Sequence, residues 1–171
     1  MKQIIIVAII AFAQFSMAAA PKAGRELTRE KAKEIMEHKD AASKDKYLTS
    51  IADMAGNAGH VNGLALNIKK ALLQGDADLL VVIYKAIDTK DEAKLKFIGE
   101  SSAGVKTVKD ASTLAKLADL TFTGAENFKA EVAKEIENGK SLKDAVKEAS
   151  KAMGKTGENE ITLEKIINCL V

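Results

Sequence analysis

The sequence predicts an all-α domain, a compact multi-helix array of about eight or nine short helices around a buried central helix over residues 76–87. Three observations carry that reading. Apolar residues recur at helical spacing through most of the chain after residue 27. Ser/Thr-x-x-Asp/Glu sequences, the pattern of a capping box, stand just before several of these runs. Pro21 is the single proline, and the 11 glycines fall mostly where a helical run stops.

Residues 1–18 read as a secretory signal peptide and are set aside from the fold. Lys2 supplies the positive start, Ile4 to Phe15 form an apolar run broken only by Gln14, and Ser16, Ala18, Ala19 and Ala20 supply small residues. The run is shorter than the roughly 20 residues of a membrane span. Proline fits poorly directly after a scissile bond, so cleavage is expected after Ala18, with Ala19 second. Residues 19–27 are expected to be a loose N-terminal arm, and 28–171 a single helical domain. Removing 18 of the 171 residues leaves 153, an ordinary domain size.

Thr28 can cap a helix running to about His38. Tyr47, Leu48, Ile51, Ala52 and Ala55 predict a helix from Lys44, closed by Gly56. Val61, Leu64, Ala65, Ile68, Ala71 and Leu72 form the next face, closed by Gly75. The central stretch follows. Leu79 to Ile83 has strand length and β-branched residues, but a lone strand has no partner among capped helices. Asp76 can cap it, and Leu79, Leu80, Ile83, Ala86 and Ile87 keep helical spacing.

Thr89 to Glu92 is read as a capping box, with Glu92 pairing with Lys96, before a helix carrying Ala93, Phe97 and Ile98 that stops at Gly99. Thr107 to Asp110 opens another through Leu114 and Ala118. Thr123 to Glu126 is a further box before Phe128, Val132 and Ile136, with Gly139 beyond the end. Ser141 to Asp144 starts a helix that Gly154 stops. Leu163, Ile166, Ile167 and Leu170 close the chain at helical spacing.

Composition narrows the function. The 26 basic and 24 acidic residues leave a formal charge of +2, so no global field draws the chain to nucleic acid or acidic membranes. Arg25 and Arg29 are the only arginines, and the rest are lysines, which lack the planar fork suited to phosphate. There is no tryptophan and the aromatics are scattered, which disfavours a base-stacking platform. Cys169 is the only cysteine. It is expected to be a small buried hydrophobe or, near the chain end, to form an intermolecular disulfide.

Gly99-Glu-Ser-Ser-Ala-Gly104 invites comparison with a nucleophile elbow around Ser101. The order of residues argues against it, because His38 and His60 both precede the serine. The segment reads instead as a Gly/Ser loop between helices. His38 reads as exposed and His60 as a surface or capping residue, without a local signature joining His60 to Cys169 as base and nucleophile. Asp76-Ala-Asp78 and Asp88-x-x-Asp91 lack the glycine and glutamate of a calcium loop and read as helix caps. No cofactor is expected.

The expectation is an exported non-catalytic protein, periplasmic or secreted, acting through protein–protein contacts with a partner or a second copy of itself. Its membrane contact would be the transient one of the signal peptide. The candidate interaction surface is the C-terminal face of Leu163, Ile166, Ile167, Cys169 and Leu170, with Cys169 a candidate link between copies. The alternative is a carrier of a small apolar ligand or lipid in a cavity between helices.

Overall fold

The computed structural model describes residues 27–58 and 63–155, with position 168 besides. The signal peptide, His60 and the closing helix with Leu163, Ile166, Ile167, Cys169 and Leu170 lie outside the described residues. The described chain forms eight α-helices and one 3-10 turn, with no strand among these residues. They are α1 (Arg29–Met36), α2 (Ala41–Ala58), α3 (Leu64–Gln74), α4 (Ala77–Asp88), α5 (Glu92–Ser101), the 3-10 turn Ser102–Gly104, α6 (Val108–Ala118), α7 (Ala125–Glu137) and α8 (Leu142–Lys155).

The central stretch is α4. Asp76 caps it, its Oδ1 accepting from the Asp78 N–H at 3.0 Å and the Leu79 N–H at 3.5 Å. Leu79, Leu80 and Ile83 are fully buried, and Ala77, Val82, Tyr84 and Ala86 nearly so. Each large side chain buried this way stabilises the fold by about 1.5–3 kcal/mol. α4 packs on α1, α2, α5 and α6. Its neighbour α5 touches α2, α3, α4, α6 and α7. Leu95 and Ile98 on α5 are fully buried, and Phe97 is nearly so. α8 lies against α7 and touches α6.

Two of the expected stop signals are helix interior. Gly56 lies within α2 and Gly99 within α5. Both sit where another helix comes too close for a side chain. A Cβ on Gly56 would stand 2.7 Å from the Ala65 Cβ and 3.0 Å from its backbone nitrogen. A Cβ on Gly99 would stand 2.0 Å from the Leu64 Cδ2 and 2.9 Å from its Cγ. The first turn of α3 is therefore held between two glycines. The expected Gly/Ser loop after Gly99 is likewise helical, continuing to Ser101 and then tightening into the 3-10 turn. Gly154 does not end α8, which runs to Lys155. Gly75 and Gly139 do follow helix ends.

The caps divide in the same way. The Thr28 hydroxyl accepts from the Lys31 N–H, and Thr107 and Asp110 form a complete capping box. Ser141 Oγ accepts from the Asp144 N–H at 3.2 Å and donates to its carboxylate. The box expected at Thr89 is not made. Thr89 donates back to the Lys85 carbonyl at 2.8 Å, and Asp91 caps α5 by accepting from the Lys94 N–H. Lys96 pairs with Glu100 at 3.8 Å, not with Glu92. The box expected at Thr123 gives way to Gly124, a left-handed N-cap at φ 88° with no side-chain bond. The Glu126 carboxylate goes instead to Lys129.

α4 and α7 end in the same Schellman arrangement. Asp91 N–H donates to the Ala86 carbonyl and Lys90 N–H to that of Ile87; Lys140 and Gly139 repeat this with Glu135 and Ile136. The left-handed position is Gly139 in one and Lys90, at φ 54°, in the other. A left-handed non-glycine residue stores about 1–2 kcal/mol. Lys90→Gly is therefore expected to stabilise the protein by roughly 0.5–1 kcal/mol in urea unfolding, with no structural change in circular dichroism. Gly56→Ala and Gly99→Ala are each expected to destabilise by about 1–3 kcal/mol. The α2 variant should be the worse of the two, because its new methyl meets backbone and the α5 variant meets a movable leucine.

Candidate interaction surface

Among the described residues, three surface features bear on function. The first is a cleft between α1 and the starts of α4 and α6, about 260 Å3, lined by Arg29, Lys33, Met36, Asp76 and Val108 among others. Arg29 donates from Nε to Asp78 Oδ1 at 2.6 Å and from Nη2 to Oδ2 at 3.3 Å. That bidentate pair ties α1 to the first turn of α4. The Arg29 guanidinium holds the Asp78 carboxyl below the usual carboxylate range, first through the hydrogen bond and then through charge. Asp40, at the start of α2, is also held low, chiefly by the Ser43 hydroxyl. His38 is half-buried rather than exposed, its Nδ1 accepting from the Asp40 N–H at 3.1 Å.

The second is a cleft of about 310 Å3 between the starts of α5 and α7 and the segment after α6. Lys94 and Lys129 line it together with Leu120 and Phe122. Lys94 pairs with Asp119 at 2.7 Å, and Lys129 with Glu126 at 3.2 Å. The Lys129 ammonium also stands 5.9 Å from the centre of the Phe97 ring, a cation–π distance. Both cations are thus satisfied within the fold, and burying Lys129 is tolerated because it is paired.

The third is the outer face of α3. Its inner face is the predicted one, with Leu64, Ile68, Ala71 and Leu72 buried. Leu66 and Leu73 are left outside, 57% and 46% exposed. Seven residues apart, they share one side of the helix with Lys70 between them. α3 has no acidic residue between Leu64 and Gln74. Lys69 is engaged by Asp45 of α2 at 3.3 Å, while Lys70 has no ion pair among the described residues. The signal was present in the sequence: these are the two leucines of the segment that its apolar periodicity does not use.

Ser101, the would-be nucleophile, is fully buried at the end of α5. Its Oγ has no hydrogen-bond partner among the described residues, and the neighbouring Ser102 donates to the Gly99 carbonyl at 2.7 Å. That environment holds Ser101 as a small core residue. Among the described residues no group of three or more His, Cys, Asp or Glu side chains is placed to hold a metal, and no helix is long and apolar enough to cross a membrane. Asp76 and Asp91 act as helix caps, as their sequence context suggested.

Comparison with protein families, with curated proteins and with solved structures finds no match to this chain.

The Asp78 ion pair makes a pH prediction. A carboxyl held low in the folded state contributes stability above its unfolded value, about 3.8, and that contribution is lost as pH falls through the folded value. Asp78→Asn is expected to lower the melting temperature at neutral pH. The gap from the parent protein should close on acidification below pH 3.8, as followed by circular dichroism melts across pH.

Proposed function

We propose that this chain is an exported, non-catalytic helical protein that works through protein–protein contacts, in the periplasm or outside the cell. The observation that carries the reading is the outer face of α3. There Leu66 and Leu73 stand exposed on a helix whose only charges are lysines. Two half-exposed leucines on one side of a helix supply the apolar centre of a small contact, and Lys70 supplies a polar rim. The apolar C-terminal series Leu163, Ile166, Ile167 and Leu170 is the second contact candidate, with Cys169 beside it. The signal-peptide pattern of residues 1–18 supports export.

Carriage of a small apolar molecule is the second reading. The cleft beside Leu120 and Phe122 is its natural place, at the small end of ligand-pocket volumes. Native mass spectrometry separates the two readings: a co-purifying lipid favours the carrier, and a bare protein mass favours the contact protein.

The contact reading is tested with Leu66→Glu/Leu73→Glu. Both positions are exposed, so the melting temperature should move little. Proteins captured from the exported fraction by the parent chain should be lost or weakened about tenfold or more with the double variant. An unchanged set of captured proteins would show that α3 is not the contact surface.

A further inference from the structure

We propose that the cleft between the starts of α5 and α7 binds a small apolar monocarboxylate, with its hydrocarbon body on Leu120 and Phe122 and its carboxylate on the ammonium groups of Lys94 and Lys129. The proposal rests on the carrier reading of this cleft and adds the class of ligand.

The lining has the two parts such a ligand needs. Ala93, Ala118, Leu120, Phe122 and Ala125 supply apolar surface in a cleft of about 310 Å3, the scale of a small-ligand pocket. Phe122 is backed by the ring of Phe128, 6.1 Å away between centroids, and Phe128 is fully buried.

The charged groups are sorted by sign, with the cations inside and the acids outside. The Lys129 side chain is 9% exposed and that of its partner Glu126 is 76% exposed. Lys94 is 20% exposed and its partner Asp119 is 52% exposed. Asp91, 3.8 Å from Lys94, is also more open than the lysine. A sheltered charge acts through a lower effective dielectric than one in water, whereas exposed carboxylates are screened. Although three acids stand around two cations, the interior of the cleft therefore presents positive charge to an entering ligand. Glu126 lies in the first turn of α7, whose Gly124 cap makes no side-chain hydrogen bond, so the positive end of the helix dipole adds to the same field.

Glu126 occupies the place of the ligand's carboxylate. An ammonium has three donors, and the described hydrogen bonds of Lys129 use one, to Glu126 at 3.2 Å. A pair with so exposed a carboxylate holds weakly. A ligand that buries its hydrocarbon body in the cleft gains free energy that Glu126 does not, so its carboxylate displaces that of Glu126, which stays solvated. Lys129 remains in position over the Phe97 ring, 5.9 Å from its centre.

Octanoate, octanol and octylammonium share one chain length and differ in head group, so titrating each into the purified chain tests the class of ligand. In heteronuclear NMR spectra, octanoate is expected to shift the amides of Leu120, Phe122 and Ala125. It should bind at least about tenfold more tightly than octanol or octylammonium. Glu126→Gln removes the internal competitor at an exposed position and should tighten octanoate binding by a few-fold, with octanol unchanged. Lys129→Met keeps the apolar stem and should weaken octanoate about tenfold or more, while retained octanol binding shows that the cleft is still folded. Octanol binding as tightly as octanoate overturns the proposal and leaves the carrier reading standing. No binding of any of the three overturns both. An octanoate affinity unchanged in the two variants, or shifts centred away from this cleft, overturns the assignment to Lys129 and Glu126.

Discussion

The first turn of α3 is held between two glycines of other helices, and much of the described fold is arranged around it. Leu64 presses on Gly99 of α5 and Ala65 on Gly56 of α2. With no side chain at either glycine, three helices approach closely, and packing at close range is where dispersion forces act most strongly. Fixing α3 there sets its rotation. Ile68, Ala71 and Leu72 turn inward, and Leu66 and Leu73 are necessarily turned out. The same packing that builds the core thus creates the face from which the functional reading is drawn.

α5 carries this constraint across the domain. It holds α2 and α3 on one side and α6 and α7 on another, with α4 alongside. Its short length leaves little room for solvated surface: Leu95, Phe97, Ile98, Gly99 and Ser101 are all buried. Ser101 is tolerated there as a small residue, whereas Ser102 satisfies itself on the preceding turn. Around this centre the polar chemistry is mostly local. Lysines pair with acids three or four residues away, and longer pairs such as Arg29–Asp78 and Lys94–Asp119 staple one helix to the next. α3 differs from most of its neighbours in carrying lysines and no acid of its own.

Helix content and most helix positions were legible in the sequence because amphipathic periodicity is itself a record of burial. The faces of α2, α3, α6, α7 and α8 are those that the spacing of their apolar residues marks, except that Val108, read as part of the α6 face, stands exposed at its start. Caps were legible where only one helix competed for the residue, as at Thr28, Asp76, Thr107 and Ser141. They were not where a residue had two neighbours to serve. Thr89 closes α4 instead of opening α5, and Glu126 is drawn to Lys129. The outer leucines of α3 were visible as residues left over from a periodic face, but leftover leucines are common on protein surfaces.

By itself the sequence determined the class of the fold and the central buried helix, since each depends on local composition and period. Only the tertiary structure decided what the glycines do. A glycine that ends a helix and a glycine that admits another helix look alike along the chain, because the atom that distinguishes them belongs to a residue elsewhere in the sequence. Gly75 and Gly139 end helices; Gly56 and Gly99 admit α3. The orientation of α3, and so the exposure of Leu66 and Leu73, follows from that non-local contact.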